Sequence, residues 1–135
     1  MVVIDASVAA KWYLMEADRH LALALLKSRE PMIAPELIIA EVSNVIWTNI
    51  RRGRVPANQF SAILDSLLPI FAELHELVPL VSRASEIAVS LDHPVYDCFY
   101  LALAERDRLR LITADDRFYR KTRRTRFSSM VRKLA

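Results

Sequence analysis

Val2-Val3-Ile4-Asp5-Ala6-Ser7 opens the chain. Three β-branched residues in a row suit a short strand buried on both faces, as in a parallel sheet. The apolar run stops at Asp5. That carboxylate therefore stands at the carboxyl end of the strand and at the mouth of a helix beginning at Ala6 or Ser7. Near the other end of the chain, Leu111-Ile112-Thr113-Ala114-Asp115-Asp116 repeats the arrangement. For Asp5 alone, a helix N-cap worth ~1 kcal/mol is the favoured reading. The same reading is open for Asp115. Two acidic strand ends in one sheet suggest more than two caps.

Working outward, the first helix is expected to end near Leu14 and a second to span Ala17–Lys27. Met32–Ala34, between Pro31 and Pro35, reads as a second strand. Leu37 to Arg51 is helical and Gly53 stops it. Pro56 begins the next helix, which reaches Leu68. Glu73–Val78 alternates polar and apolar residues and predicts a third strand. Helices follow over Pro79–Leu91 and Tyr96–Asp107. Arg110–Thr113 is a fourth strand, Asp115–Lys121 a short helix, and Met130–Leu134 a fifth strand. Strands alternating with helices imply a three-layer α/β/α fold with a four- or five-stranded, mostly parallel sheet, formed as a single domain over residues 1–135. Sites in such sheets form at the carboxyl edges of the strands.

Composition excludes several classes. At 53 % hydrophobic residues the chain is not disordered. No apolar run approaches the ~18–20 residues that span a bilayer, and MVVIDAS does not read as a signal peptide. A cytoplasmic protein without a membrane role is expected. Gly53 is the only glycine, so neither a dinucleotide fingerprint nor a phosphate-binding P-loop can be built. Cys98 is the only cysteine, and His20, His75 and His93 lie far apart, which argues against zinc. Charge is unevenly placed. Met1–Glu105 carries 8 Lys/Arg and 13 Asp/Glu, whereas Arg106–Ala135 carries 11 Lys/Arg and 3 Asp/Glu. An acidic body with a basic end suggests a polyanion held near carboxylates.

Two further acids need an explanation. Asp97 falls in the first turn of the helix over Tyr96–Asp107, where the helix dipole favours an acid. Glu41 lies within the helix starting at Leu37. Leu37, Ile38, Val42 and Val45 stand at i−4, i−3, i+1 and i+4 from it, which places it on or beside the apolar stripe. An ionised carboxylate there costs several kcal/mol unless it is paired or bound to a cation. A purely structural role would need a buried Lys or Arg, and Arg51 and Arg52 lie beyond the apolar part of the helix. Four acids gathered in one pocket would repel one another and raise each other's pKa values. A divalent cation offsets that repulsion. Oxygen donors without thiolate or imidazole indicate Mg²⁺, with Mn²⁺ possible.

Val3-Ile4-Asp5-Ala6-Ser7-Val8 with Lys11-Trp12 resembles the opening of PIN-domain proteins of the VapC toxin type. Pro35-Glu36-Leu37 through Glu41-Val42-Ser43-Asn44-Val45 resembles their second block. Tyr96-Asp97-Cys98-Phe99-Tyr100-Leu101-Ala102-Leu103-Ala104-Glu105 resembles the third, and Leu111-Ile112-Thr113-Ala114-Asp115 with Phe118 the fourth. The four blocks occur in order over nearly the whole chain. The resemblance implies a PIN fold, a magnesium-dependent endoribonuclease acting as the toxin of a toxin–antitoxin pair, an antitoxin protein that blocks the site, and a homodimer. It implies a site of Asp5, Glu41, Asp97 and Asp115, with Asp5 and Asp97 the principal magnesium ligands and Ser7 and Thr113 in support. Asp116 competes with Asp115 for the fourth place.

Arg117, Arg120, Lys121, Arg123, Arg124 and Arg126 are candidates to meet RNA phosphates or an acidic partner. The plainer alternative is a solvated helix face. Trp12 and Trp47 read as core or interface anchors. Tyr96, Phe99 and Tyr100 read as core, Cys98 as a small buried hydrophobe, and His93 as a loop histidine. Two other functions stay open: a magnesium-binding, receiver-like phosphotransfer domain, and a non-catalytic RNA-binding module in which the acids are only caps.

Overall fold

β1 (Val2–Ile4) is buried along its whole length, and strands pair on both of its sides in a computed structural model that describes residues 1–135. With β2 (Met32–Pro35), β3 (Glu73–His75), β4 (Arg110–Thr113) and β5 (Val131–Lys133) it forms a sheet of order β3-β2-β1-β4-β5. All four pairings are parallel. The chain moves outward from β1 to β2 and β3, then returns to the other side of β1 for β4. The order therefore reverses between β1 and β4, and a crevice opens at their carboxyl ends. Register aligns Ile4 with Ile112, and the Asp5 N–H donates to the Ile112 carbonyl at 3.1 Å. Asp5 and Thr113 thus emerge side by side.

Seven α-helices make the flanking layers: α1 (Ala6–Ala9), α2 (Arg19–Lys27), α3 (Leu37–Arg51), α4 (Phe60–Leu67), α5 (Val81–Leu91), α6 (Val95–Asp107) and α7 (Asp116–Thr122). With this strand order, the right-handed crossovers that parallel strands require place α1–α4 on one face and α5–α7 on the other. α6 packs on β1, β2 and β4 and beneath α5. Cys98 and Tyr100–Ala104 are all buried in it, so its sequence is apolar on most sides and not in a single stripe. No helix is long and apolar enough to cross a membrane.

Three elements are shorter than the sequence suggests. The first helix is α-helical only to Ala9 and tightens into a 3₁₀ turn over Ala10–Trp12, a common form of helix ending. The third strand ends at His75. Val78–Leu80 is a 3₁₀ turn, and Pro79 within it has no N–H to give a ladder. The helix beginning near Pro56 is α-helical only over Phe60–Leu67, with 3₁₀ turns before it and after it, the second containing Pro69.

With one glycine in the chain, other residues take the left-handed positions that end helices. Arg29, Asp92 and Arg108 all have positive φ. After α6, the Leu109 N–H donates to the Ala104 carbonyl and the Arg108 N–H to that of Glu105, a Schellman ending with Arg108 in the left-handed position. The same pair of bonds ends α5, with Asp92 left-handed and the His93 N–H reaching back to Ala88. Pro94 follows and α6 begins at once. This corner turns His93 inward. Because an L-residue pays about 1 kcal/mol in that region, Arg108→Gly is expected to stabilise the fold by about 0.5–1 kcal/mol. Thermal melting checks this, and an unchanged or lower Tm would show that Arg108 is not strained.

Candidate functional site

Asp5 is 3 % exposed and occupies the N-cap position of α1, yet its side chain caps nothing. The capping expected for it does not occur, because its carboxylate is engaged elsewhere. Oδ2 accepts from the Ser7 hydroxyl and, at 2.8 Å, from the Thr113 hydroxyl. Each hydroxyl oxygen is itself filled by a backbone donor. Ala114 N–H reaches Ser7 Oγ at 2.9 Å, and Asp115 N–H reaches Thr113 Oγ1 at 3.1 Å. With those acceptor positions occupied, both hydroxyl protons are directed at Asp5. The bonds stitch the β1–α1 turn to the β4–α7 turn and leave Asp5 Oδ1 unused by either hydroxyl.

Asp115 caps α7, its Oδ1 accepting from the Phe118 N–H at 2.9 Å. It also lines the crevice, so cap and site are not alternatives here. Asp116 points away and pairs with Lys133 on the surface. Of the two adjacent acids, Asp115 is the one brought to the cavity.

Asp5, Glu41, Asp97 and Asp115 line one cavity of about 460 Å³, together with Ser7, Asn44 and Tyr96. Glu41 reaches it from α3. Its buried partner is not a cation but a phenol: Tyr100 Oη donates to Glu41 Oε1 at 2.7 Å. Burial pushes Glu41 from 4.5 up to about 7; the Tyr100 bond opposes this, and Asp5 and Asp97 add to it. Asp97 sits in the first turn of α6. Burial, then the charges of Asp5 and Asp115, raise it from 3.8 to about 8. Asp5 is also raised, by burial above all, against the pull of Ser7 and Thr113. The Tyr100 phenol is held far above its ordinary value by burial and by Asp5 and Glu41, so it remains a neutral donor. Burial and the charge of Asp97 push the Cys98 thiol up to about 12, in keeping with a buried hydrophobe.

One neighbour, Tyr96, differs from its sequence reading, and two others, His93 and Tyr100, have polar partners that the sequence reading did not give them. His93 is buried, packs at a tilt against Phe118 with ring centroids 5.1 Å apart, and its Nε2 meets Asp97 Oδ2 at 2.6 Å. Its Nδ1 is buried without a partner. A neutral ring with its proton on Nε2 leaves only a bare acceptor there, the less costly orphan, and burial favours that neutral form. The i, i+4 spacing of His93 and Asp97 around Pro94 was the available signal. Tyr100 is core, as its sequence context suggests, but its hydroxyl serves Glu41. Tyr96 is not core: it is 58 % exposed on the cavity wall.

The basic segment divides. Arg117 and Lys121 flank His93 in a shallow cavity beside the site. Arg124 and Arg126 line another with Arg83, and Arg126 pairs with Glu105. Arg123 lies 3.9 Å over the Tyr119 ring and donates to the Val131 carbonyl, so it holds α7 to β5. Arg120 is exposed.

Do these residues fit a divalent cation? No three acidic, histidine or cysteine side chains stand close enough to enclose an ion among themselves. Magnesium ordinarily takes only one or two carboxylates and keeps its waters. The donors facing the cavity are oxygens, the only nearby imidazole is engaged with Asp97, and three acids have raised proton affinities, from burial first and from one another's charges second, with no buried cation to offset either. The set fits a hydrated hard cation.

A family model described as "PIN domain" matches residues 2–124. "Ribonuclease VapC3" of Pyrobaculum aerophilum is 30 % identical over 116 residues, covering 84 % of this chain and 88 % of that protein. "Exonuclease VapC9" of the same organism is 32 % identical, covering 82 % and 86 %. The crystal structure of PAE2754 from Pyrobaculum aerophilum superposes with a TM-score of 0.72 at 27 % identity, covering 98 % of this chain and 83 % of that one.

Two outcomes follow from the geometry. Glu41 and Asp97 are raised in the folded state, so the native protein keeps protons that the unfolded chain has released. Stability in EDTA therefore falls as pH rises from about 4.5 to about 7 through Glu41, and from about 3.8 to about 8 through Asp97. His93 is lowered, and its opposite contribution is complete near its ordinary value of 6.5. Between pH 7 and 8 the Tm in EDTA is expected to drop by a few degrees, and Asp97→Asn to flatten that drop. A wild-type curve as flat as the variant's contradicts the raised proton affinity assigned to Asp97. Second, His93→Ala is expected to weaken Mn²⁺ binding about 10–100-fold, as loss of a donor behind a ligand does, with His93→Gln partly restoring it. Equal affinities by isothermal titration would leave His93 a packing residue only.

Proposed function

Because the chain belongs to the PIN-domain family, we propose that it is a magnesium-dependent ribonuclease, the toxin of a toxin–antitoxin pair, hydrolysing RNA phosphodiester bonds at the cavity of Asp5, Glu41, Asp97 and Asp115. The observation that carries this reading is that four distant chain segments each bring one carboxylate to a single crevice at the sheet's switch point. The curated relatives' names support a nuclease.

Asp5 and Asp97 are assigned as the principal ligands for Mg²⁺ or Mn²⁺, with Glu41 and Asp115 completing the site. A divalent ion there would activate water as a nucleophile and neutralise charge on the phosphate. The protein's part is orientation. Ser7 and Thr113 fix one oxygen of Asp5, His93 fixes one of Asp97, and Tyr100 fixes one of Glu41. Each acid is left with its second oxygen for the ion or for water. Such holding reduces the reorganisation needed during reaction. Hydrolysis then adds water across one P–O bond, leaving a phosphate monoester on one fragment and a hydroxyl on the other.

Arg117, Arg120, Lys121 and Arg124 are assigned to RNA backbone contacts, which position substrate and make binding salt-dependent. Arg123 has internal partners and contributes less. The family resemblance supports a cognate antitoxin, a homodimer and a cytoplasmic location for a single-domain protein.

The test is cleavage of a mixed RNA panel, including a circular RNA, by antitoxin-free protein in Mg²⁺ and in EDTA. Discrete cuts are expected only with the metal, reduced on the order of 10²-fold or more by Asp97→Asn. Opening of the circle identifies an endonuclease, whereas cutting of linear RNA alone identifies an exonuclease. Metal-independent cutting, or full activity of Asp97→Asn, overturns the assigned site.

A further inference from the structure

The cavity is larger than its acids require. A hydrated ion with six waters takes up about 180 Å³ at about 30 Å³ per water, against about 460 Å³ here. The walls also differ. Asp5, Asp97 and Asp115 stand at the ends of β1, α6 and β4, while α3 contributes the apolar Leu37, Ala40 and Val45 around Glu41 and Asn44, and Tyr96 reaches in from the start of α6. A site for phosphate and metal alone has no use for an apolar wall. Tyr96 is 58 % exposed and its hydroxyl makes no hydrogen bond within the protein. The Asn44 side chain is also exposed and free of internal bonds. A flat aromatic face and an unpaired amide thus share one open pocket with the carboxylates.

From this we infer that the apolar half of the cavity is a nucleobase subsite, in which Tyr96 stacks a base of single-stranded RNA adjoining the scissile phosphate and Asn44 bonds to that base's edge. The inference rests on the nuclease reading for its substrate. Charge supports it. A rim of carboxylates offers a polyanion no attraction beyond that of a bound metal, so further affinity at this point comes from neutral contacts: stacking, which any base provides, and amide bonding, which discriminates among bases. The basic side chains of α7 lie outside the cavity and serve the backbone farther along. An unstacked base is required, because a paired one presents no face to Tyr96. The occupant is therefore a single strand, loop or bulge.

The test uses short RNAs carrying 2-aminopurine at successive positions, bound to the Asp97→Asn protein in Mg²⁺ so that they are not consumed. Its fluorescence is expected to be quenched at one position flanking the cleavage point, to recover when Tyr96→Ala is added, and to stay quenched with Tyr96→Phe. In the otherwise wild-type protein, Tyr96→Ala is expected to raise KM for RNA on the order of tenfold with kcat changed far less. Asn44→Ala is expected to relax the base preference at that same flanking position, read by sequencing the cut ends. If wild type cuts RNA while Tyr96→Ala leaves KM, quenching and flanking preference unchanged, the subsite is overturned and the nuclease stands. If no RNA is cut yet quenching depends on Tyr96, the nuclease reading fails and the subsite stands as a base-binding pocket. Normal RNA binding by Tyr96→Ala with lost self-association makes the wall a protein interface and overturns the inference.

Discussion

A carboxylate buried at the end of the central strand is the constraint on which the rest of this structure depends. Removing Asp5 from water costs several kcal/mol unless strong donors replace the lost solvent. Two hydroxyls do so, and each is oriented by a backbone N–H from the turn after β4. The arrangement works only if β1 and β4 are neighbours in register, with Ile4 opposite Ile112. Sheet order and site are therefore one problem. Any slip of β4 against β1 would strand Asp5 without donors, so the polar network penalises wrong registers more sharply than the apolar strands do.

The same logic gives the other three acids their tethers. Glu41 has Tyr100, Asp97 has His93, and Asp115 has the first turn of α7. Each tether is a single neutral donor, not a cation. A buried Lys or Arg would have relieved the repulsion and stabilised the fold, but it would also have filled the place of a metal. Neutral donors hold the carboxylates in position while leaving their burial and mutual repulsion unrelieved, and burial first, with that repulsion added, raises the proton affinities of Glu41 and Asp97. Stability is lower for it, in the usual trade between a poised site and a relaxed one.

How much of this was legible in the chain depends on whether the signal is local. Asp5 and Asp115 could be read because a β-branched run ends abruptly at each, and Glu41 because an acid interrupts a 3.6-residue apolar period. The parallel sheet followed from the alternation of elements. The partners could not be read so easily. Tyr100 sits in Phe99-Tyr100-Leu101-Ala102-Leu103, where every neighbour suggests core. The core assignment holds for its ring, but its hydroxyl bonds a residue 59 positions away. Tyr96, four residues earlier on the same helix, is exposed because the amino end of α6 opens onto the crevice. Periodicity alone does not distinguish the two. Linear proximity misleads in the basic segment as well: Arg123 and Arg124 are adjacent, yet one clamps α7 to β5 and the other lines a cavity beside α5.

His93 shows how a backbone rule can carry functional information. Asp92 must adopt a left-handed conformation for α5 to end and α6 to begin three residues later. In a Schellman ending the residue after the left-handed one turns back toward the helix it leaves, and its side chain packs inward. That residue is usually apolar. Here it is a histidine four positions ahead of an acid in the first turn of the next helix, so the corner that spends no glycine also aims an imidazole at Asp97. The pattern Asp-His-Pro-x-x-Asp is thus a statement about geometry before it is one about chemistry. A polar residue in the inward position of a helix-ending turn needs a partner, and the first turn of the following helix is the nearest place to find one.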